Sequence, residues 1–206
     1  MPTGENELNV VDDLRPEESF ERRFYFIGDD TLRKNIAIAF EYIVFLIGVA
    51  GKDNHKKLIT SSLYKDTLIY TGIVVEACLT YVLLTYISES RVIKSKVLTP
   101  MWKEISQGII HSFSKKKRIR YVVEHQSYEK LKNSPDFIEV NRACLRAHIL
   151  NKKEYAVAEE VRVARNKIHV SGLKDIDNSY CKEDLDKVFA KANKIITKVE
   201  KKLLAI

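Results

Sequence analysis

Between Leu58 and Ile87 the chain is largely apolar, and its most apolar part, "LIYTGIVVEACLTYVLLTYI" over residues 68 to 87, restricts the fold more than any other segment. A run of this length is either a membrane span or the central helix of a packed protein. Glu76 lies near its middle and Thr71, Thr80 and Thr85 are spread along it. A carboxylate facing lipid would cost on the order of 3 kcal/mol, so the buried central helix is the favoured expectation and no membrane partner is expected. A membrane-associated protein is the competing reading.

Around this segment the signals are helical. "GDDTLRKNIAIAFEYIVFLIGVAG" predicts a helix over about 31 to 50, with Asp30 as N-cap and Gly48 and Gly51 near its end. The polar linker "GKDNHKK" leads into the apolar helix, and short linkers favour antiparallel neighbours. Pro100 in "LTPMWKEISQGIIHSF" predicts the start of a short third helix. The β-branched residues from Ile119 to Val123 suggest a short strand or extended arm near 118–124. Ser134 as cap and Pro135 at the first helical position open a helix expected to reach about Leu150. The next helix is expected to end at Gly172. The last, about 183 to 204, has Leu185, Val188, Phe189, Ala192, Ile195, Ile196, Val199 and Leu203 at three-and-four spacing, with Lys191, Lys194, Lys198 and Lys201 off the stripe. The expected fold is all-α, an antiparallel bundle of five to six helices. It forms one domain over 30–206, preceded by an acidic, partly disordered segment over 1–29.

Composition agrees. Seven glycines and four prolines in 206 residues are too few turn residues for a β-sandwich. A net charge of +7 leans towards polyanionic partners. Cys78, Cys144 and Cys181 are dispersed, without CxxC or Cys/His pairing, as expected of reduced thiols rather than a disulfide frame or zinc site. The N-terminus lacks the apolar core of a signal peptide, so a cytoplasmic location is expected.

The chemistry-bearing residues collect in "AEEVRVARNKIHVSGL", residues 158 to 173. On a helix turning about 100° per residue, Val157, Val161, Ala164 and Ile168 fall within about 60° and face the core. Arg162, Arg165, Asn166 and His169 gather about 120° away, with Tyr155 and Ala158 upstream. Glu159, Glu160 and Lys167 take the remaining side, read as solvated. Two arginines three residues apart repel, and a negative partner would relieve them. The bland alternative is a solvated basic ridge with a structural histidine.

The stretch "VRVARNKIH" resembles the signature of the HEPN superfamily, whose mark is an arginine, four to six residues, then a histidine, often written Arg-Asn and Ile-His as here. "IYTGIVVEACLTYVLL" similarly looks like the second helix of that fold, with Glu76 as a support of the motif. The resemblance covers roughly residues 30 to 204. Two other pairs meet the spacing, Arg142 with His148 and Arg120 with His125. Arg142 and His148 would stand about 120° apart on a helix, against about 20° for Arg162 and His169, and neither pair has the Arg-Asn and Ile-His dress. Val163, not a polar residue, follows Arg162, while Arg165 precedes Asn166 but lies only three residues from His169. The resemblance therefore implies Arg162, Arg165, Asn166 and His169 as the catalytic set, with the arginine role shared by Arg162 and Arg165 or carried by one of them.

The resemblance implies metal-independent RNA cleavage without cofactor, in which a 2′-OH attacks the adjacent phosphate to leave a 2′,3′-cyclic phosphate and a 5′-OH. An imidazole titrating near neutrality suits the proton transfers, and guanidinium groups suit the charge building on phosphorus. One histidine supplies a single acid or base, so a homodimer joining two motif helices is expected. It implies RNA as substrate, a toxin or antiphage role, and an antitoxin or regulatory partner. Lys115, Lys116, Lys117, Arg118 and Arg120 in "SKKKRIR", with Tyr155, are candidate RNA contacts; the alternative for the run is a solvated loop. Cys144 and His148 share a helix but lack an evident third partner for nucleophilic catalysis. The other functional reading is a silent HEPN-like homodimer that binds RNA or nucleotide or scaffolds a protein.

Overall fold

A computed structural model of the chain describes residues 17–52, 56–92, 97, 100–128, 136–166 and 180–206. Among these the fold is mainly α. The helices are α1 (Glu17–Arg23), α2 (Asp30–Ala50), α3 (Lys57–Ser88), α4 (Phe137–Arg146), α5 (Lys152–Arg165) and α6 (Lys182–Leu203), with one antiparallel hairpin, β1 (Pro100–Ser114) and β2 (Lys117–Tyr128).

Helix α3 is the centre, packed against α2, α4, α5 and α6. It is long and apolar enough to cross a membrane, but 61% of its most apolar window is buried within the fold. Its buried threonines carry no unmet polar cost, because Thr67 and Thr71 donate their hydroxyls to the carbonyls of Leu63 and Thr67 at 2.7 Å. Helix α2 begins one residue earlier than Asp30 as cap would require. Asp29 is the N-cap, its carboxylate accepting from Leu32 N at 2.9 Å, and Asp30 in the first turn pairs with Lys34 at 3.0 Å instead. The packed body also starts before residue 30: Phe20, Phe24, Phe26 and Ile27 are core residues, with Phe24 and Phe40 in edge-to-face contact at 5.7 Å. The boundary expected at 29/30 therefore falls inside the core.

Helix α4 has Asp136 as N-cap in a capping box with Glu139, and it stops at Arg146 rather than near Leu150. His148 adopts a left-handed backbone, φ 57°, which reverses the chain and carries Ile149 and Leu150 into the core. Ser134, Pro135 and Gly172 lie outside the described residues. Helix α6 buries Leu185, Ala192, Ile195, Ile196 and Val199 as its spacing predicts. Two of its lysines tie it to α5, Lys198 to Glu154 at 2.9 Å and Lys191 to Glu160.

The expected third helix at Pro100 is a strand, and the expected short extended segment near 118–124 is the middle of its partner. Ile105, Ile109, Ile110 and Phe113 favour extended backbone. Gly108 then leaves room for the Tyr121 ring, since a β-carbon there would sit 2.6 Å from Tyr121 Cε1. Among the described residues no helix makes an extended contact with the hairpin, and every side chain from Trp102 to Gln126 except Gly108 is exposed.

Candidate functional site

Helix α5 presents the arginines. It is started by Asn151, whose side chain accepts from Glu154 N at 2.9 Å while Glu154 returns a bond from Asn151 N at 2.7 Å. Burial pushes the Glu154 carboxyl up, but hydrogen bonds from Asn151 N–H and Lys198 outweigh it and hold the group below its usual range. The helix buries Ala158, Val161 and Ala164, and Asn166 is its C-cap. Its inward side is thus rotated from the expected stripe: Ala158, assigned to the polar ridge, is fully buried and Val157 only partly so.

Arg165 lies against the central helix. The Arg165 guanidinium forms an ion pair with Glu76 Oε2 on α3 at 3.2 Å and donates to Asn166 Oδ1 at 3.3 Å. Gly72, one turn before Glu76, makes this crossing possible, because a β-carbon at Gly72 would lie 2.3 Å from Arg165 Cβ. Burial raises the Glu76 pKa, Arg165 lowers it and Asp136 raises it, leaving the carboxyl above its ordinary value of 4.5.

Arg162 is held differently. Its Nε and a terminal nitrogen both meet Glu159 Oε2 at 2.9 Å on the same helix. Glu159 Oε1 in turn accepts from Asn141 Nδ2 of α4 at 2.6 Å. Glu159 therefore does not occupy a solvated face. It is the middle of an Arg162–Glu159–Asn141 chain between α5 and α4, and the fully buried Asn141 has no hydrogen-bond partner for its Oδ1 among the described residues. The signal in the sequence was Asn141 itself, an amide among Val140, Ala143 and Cys144, which must find a partner when buried.

His169, with Lys167 and Ile168, lies outside the described residues, so the alignment of Arg162 with His169 along one helix is not carried by the geometry. Tyr155 is half-buried in the first turn of α5, roughly 10 Å along the axis from Arg162. Lys115 and Lys116 form the hairpin turn, with Lys117, Arg118 and Arg120 on β2; Arg120 donates to Gln107 Oε1 at 3.1 Å. All five of these side chains are exposed, and among the described residues β2 has no extended contact with α5. Among the described residues no group of three His, Cys, Asp or Glu is gathered as for a metal ion. Cys144 is buried and donates weakly to the Leu79 carbonyl at 3.7 Å, and burial drives its pKa far up, opposite to a nucleophile's need.

Comparison with family models, with curated proteins and with solved structures finds no match.

Proposed function

We propose that the chain is a metal-independent endoribonuclease of the HEPN type, an antiparallel helical bundle acting as a homodimer. The observation that carries this reading is the Arg165–Asn166 end of α5, pinned to the central helix by Glu76 through an approach that only a glycine at position 72 allows. A guanidinium has five N–H donors. Asn166 accepts from one terminal nitrogen of Arg165 and Glu76 pairs with the other, which leaves donors for the oxygens of a phosphate. Arg165 is then the phosphate-binding arginine, and Arg162, doubly bonded to Glu159, is a positioning residue.

In the proposed reaction His169 removes the proton from a ribose 2′-OH, O2′ bonds to the adjacent phosphorus, and the bond from phosphorus to O5′ breaks. A second His169, from the other protomer, returns a proton to O5′. The products are a 2′,3′-cyclic phosphate and a 5′-OH. Arg165 offsets the charge that accumulates on the phosphorane. Such an activity suits a cytoplasmic toxin or antiphage effector restrained by an antitoxin or regulatory partner.

Incubation of pure protein with RNA in excess chelator tests the reading. Wild type is expected to cleave and leave cyclic-phosphate ends. His169→Ala should abolish cleavage, and Arg165→Ala should slow it by about 10²-fold or more. Cleavage that needs a divalent ion, or that survives His169→Ala, ends the proposal. The second reading, a silent dimer that binds RNA or nucleotide or scaffolds a protein, is favoured by one observation: both arginines are already neutralised by carboxylates of the same chain. RNA bound but intact would support it.

A further inference from the structure

The hairpin is the feature the site does not use. At about 3.3 Å per residue, β1 reaches roughly 50 Å, and Trp102, Ile105, Ile110 and Phe113 are each at least 60% exposed along it. A two-stranded hairpin alone is at best marginally stable in water. Exposed apolar groups on a free strand edge call for a cover.

The two edges are unlike. All three irregularities of the ladder lie on β1, where Ile105, Ile110 and Phe113 have no opposite residue, whereas every residue of β2 from Lys117 to Tyr128 is paired in unbroken register. Bulges spoil an edge for further pairing. The outer edge of β2 is regular, β-branched and free of proline.

Charge then selects the occupant. Glu124 stands directly opposite Glu104 in the hairpin, a like-charge pair that destabilises the ladder. Arg120, four residues away and so on the same face, stands opposite Ile109. We propose that β2 pairs antiparallel with β2 of a second copy about a twofold axis through Val122. Arg120 then lies opposite the partner's Glu124, and Glu124 opposite the partner's Arg120. Lys117 meets the partner's Ser127, so eleven of the strand's twelve residues are paired. Shifting the axis to fall between Val122 and Val123, or onto Val123, keeps a comparable overlap but moves Glu124 opposite Tyr121 or Val122. On the other face Tyr121 comes beside the partner's Val123, and Ile119, Tyr121 and Val123 of both copies join in one apolar patch on a four-stranded sheet. The contact is isologous, as a twofold dimer requires.

This inference shares the homodimer with the ribonuclease reading but needs no RNA cleavage. Its test is the dimer dissociation constant of the full chain, measured by sedimentation with circular dichroism as a folding control. Wild type should be dimeric at micromolar concentration. Arg120→Glu and Glu124→Arg, each placing two like-charge pairs across the axis, should weaken the dimer by about tenfold or more. The double variant should return to within about threefold of wild type, because it restores both pairs in reverse. A monomeric wild type, single variants without effect, or a double variant no tighter than the singles overturns the proposal. So does a chain that associates only when an RNA oligonucleotide or anionic vesicles are added, which would make the arm a polyanion contact. His169→Ala, assayed in parallel, should leave the constant unmoved while removing cleavage, so the two proposals fail separately.

Discussion

Glu76 shows how a residue in an apolar run takes its properties from what reaches it across the fold. Its side chain is 19% exposed, and burial outweighs the Arg165 guanidinium 3.2 Å away. The folded pKa is raised, so the folded chain holds this proton more tightly than the unfolded one. The contribution to stability is therefore full below about pH 4.5, the ordinary value, and is lost as pH rises through the higher folded value. Glu76→Gln, which cannot ionise, is expected to gain stability relative to wild type as pH rises from about 4.5 towards neutrality. Urea unfolding at a series of pH values checks this; a constant difference between the two proteins would show that Glu76 titrates as it does in the unfolded chain. In the sequence Glu76 was marked only by the resemblance of its segment to the second HEPN helix; its pairing with Arg165 comes from the fold. Glu159 was misread because helical projection placed it on the solvent side and could not show Asn141 approaching from α4.

At the scale of the element, α5 is defined by its N-terminal box. Asn151 satisfies Glu154 N, and Glu154 answers Asn151 N while also meeting Lys198 of α6. Asn151→Ala is expected to cost about 1 kcal/mol, read as a lower urea midpoint with an unchanged slope; no change would mean that tertiary packing alone defines the start of α5. The helices announced themselves through periodicity and caps. β1 did not, since Pro100 before a mixed apolar run is as good a helix start as a strand start. What decided for the strand was the partner: β2 supplies Tyr121 to cover Gly108 and a ladder for Ile109 and its neighbours, pairings that a local window cannot contain.

For the whole molecule, a helical body around α3 and a separate arm follow different stability rules. The body rests on the burial of α3 among four helices, and among the described residues no helix makes an extended contact with the arm. Replacing residues 101–127 by a short Gly/Ser turn is therefore expected to leave the Tm of the body within about 3 °C, by calorimetry under dilute conditions. A loss of ten degrees or more would show that the arm folds back and stabilises the body.

By itself the sequence determined the helical class, the central position of residues 58 to 87, the stripe of α6 and the gathering of Arg162, Arg165 and Asn166 near the end of one helix, because these depend on local periodicity and on the cost of exposing apolar surface. Only the tertiary structure decided which carboxylate holds which arginine, where α4 turns at His148, and that residues 100 to 128 pair as a hairpin. Those outcomes depend on contacts between segments far apart in the chain, whose meeting is set by packing and electrostatics across the whole fold rather than by any stretch of neighbouring residues.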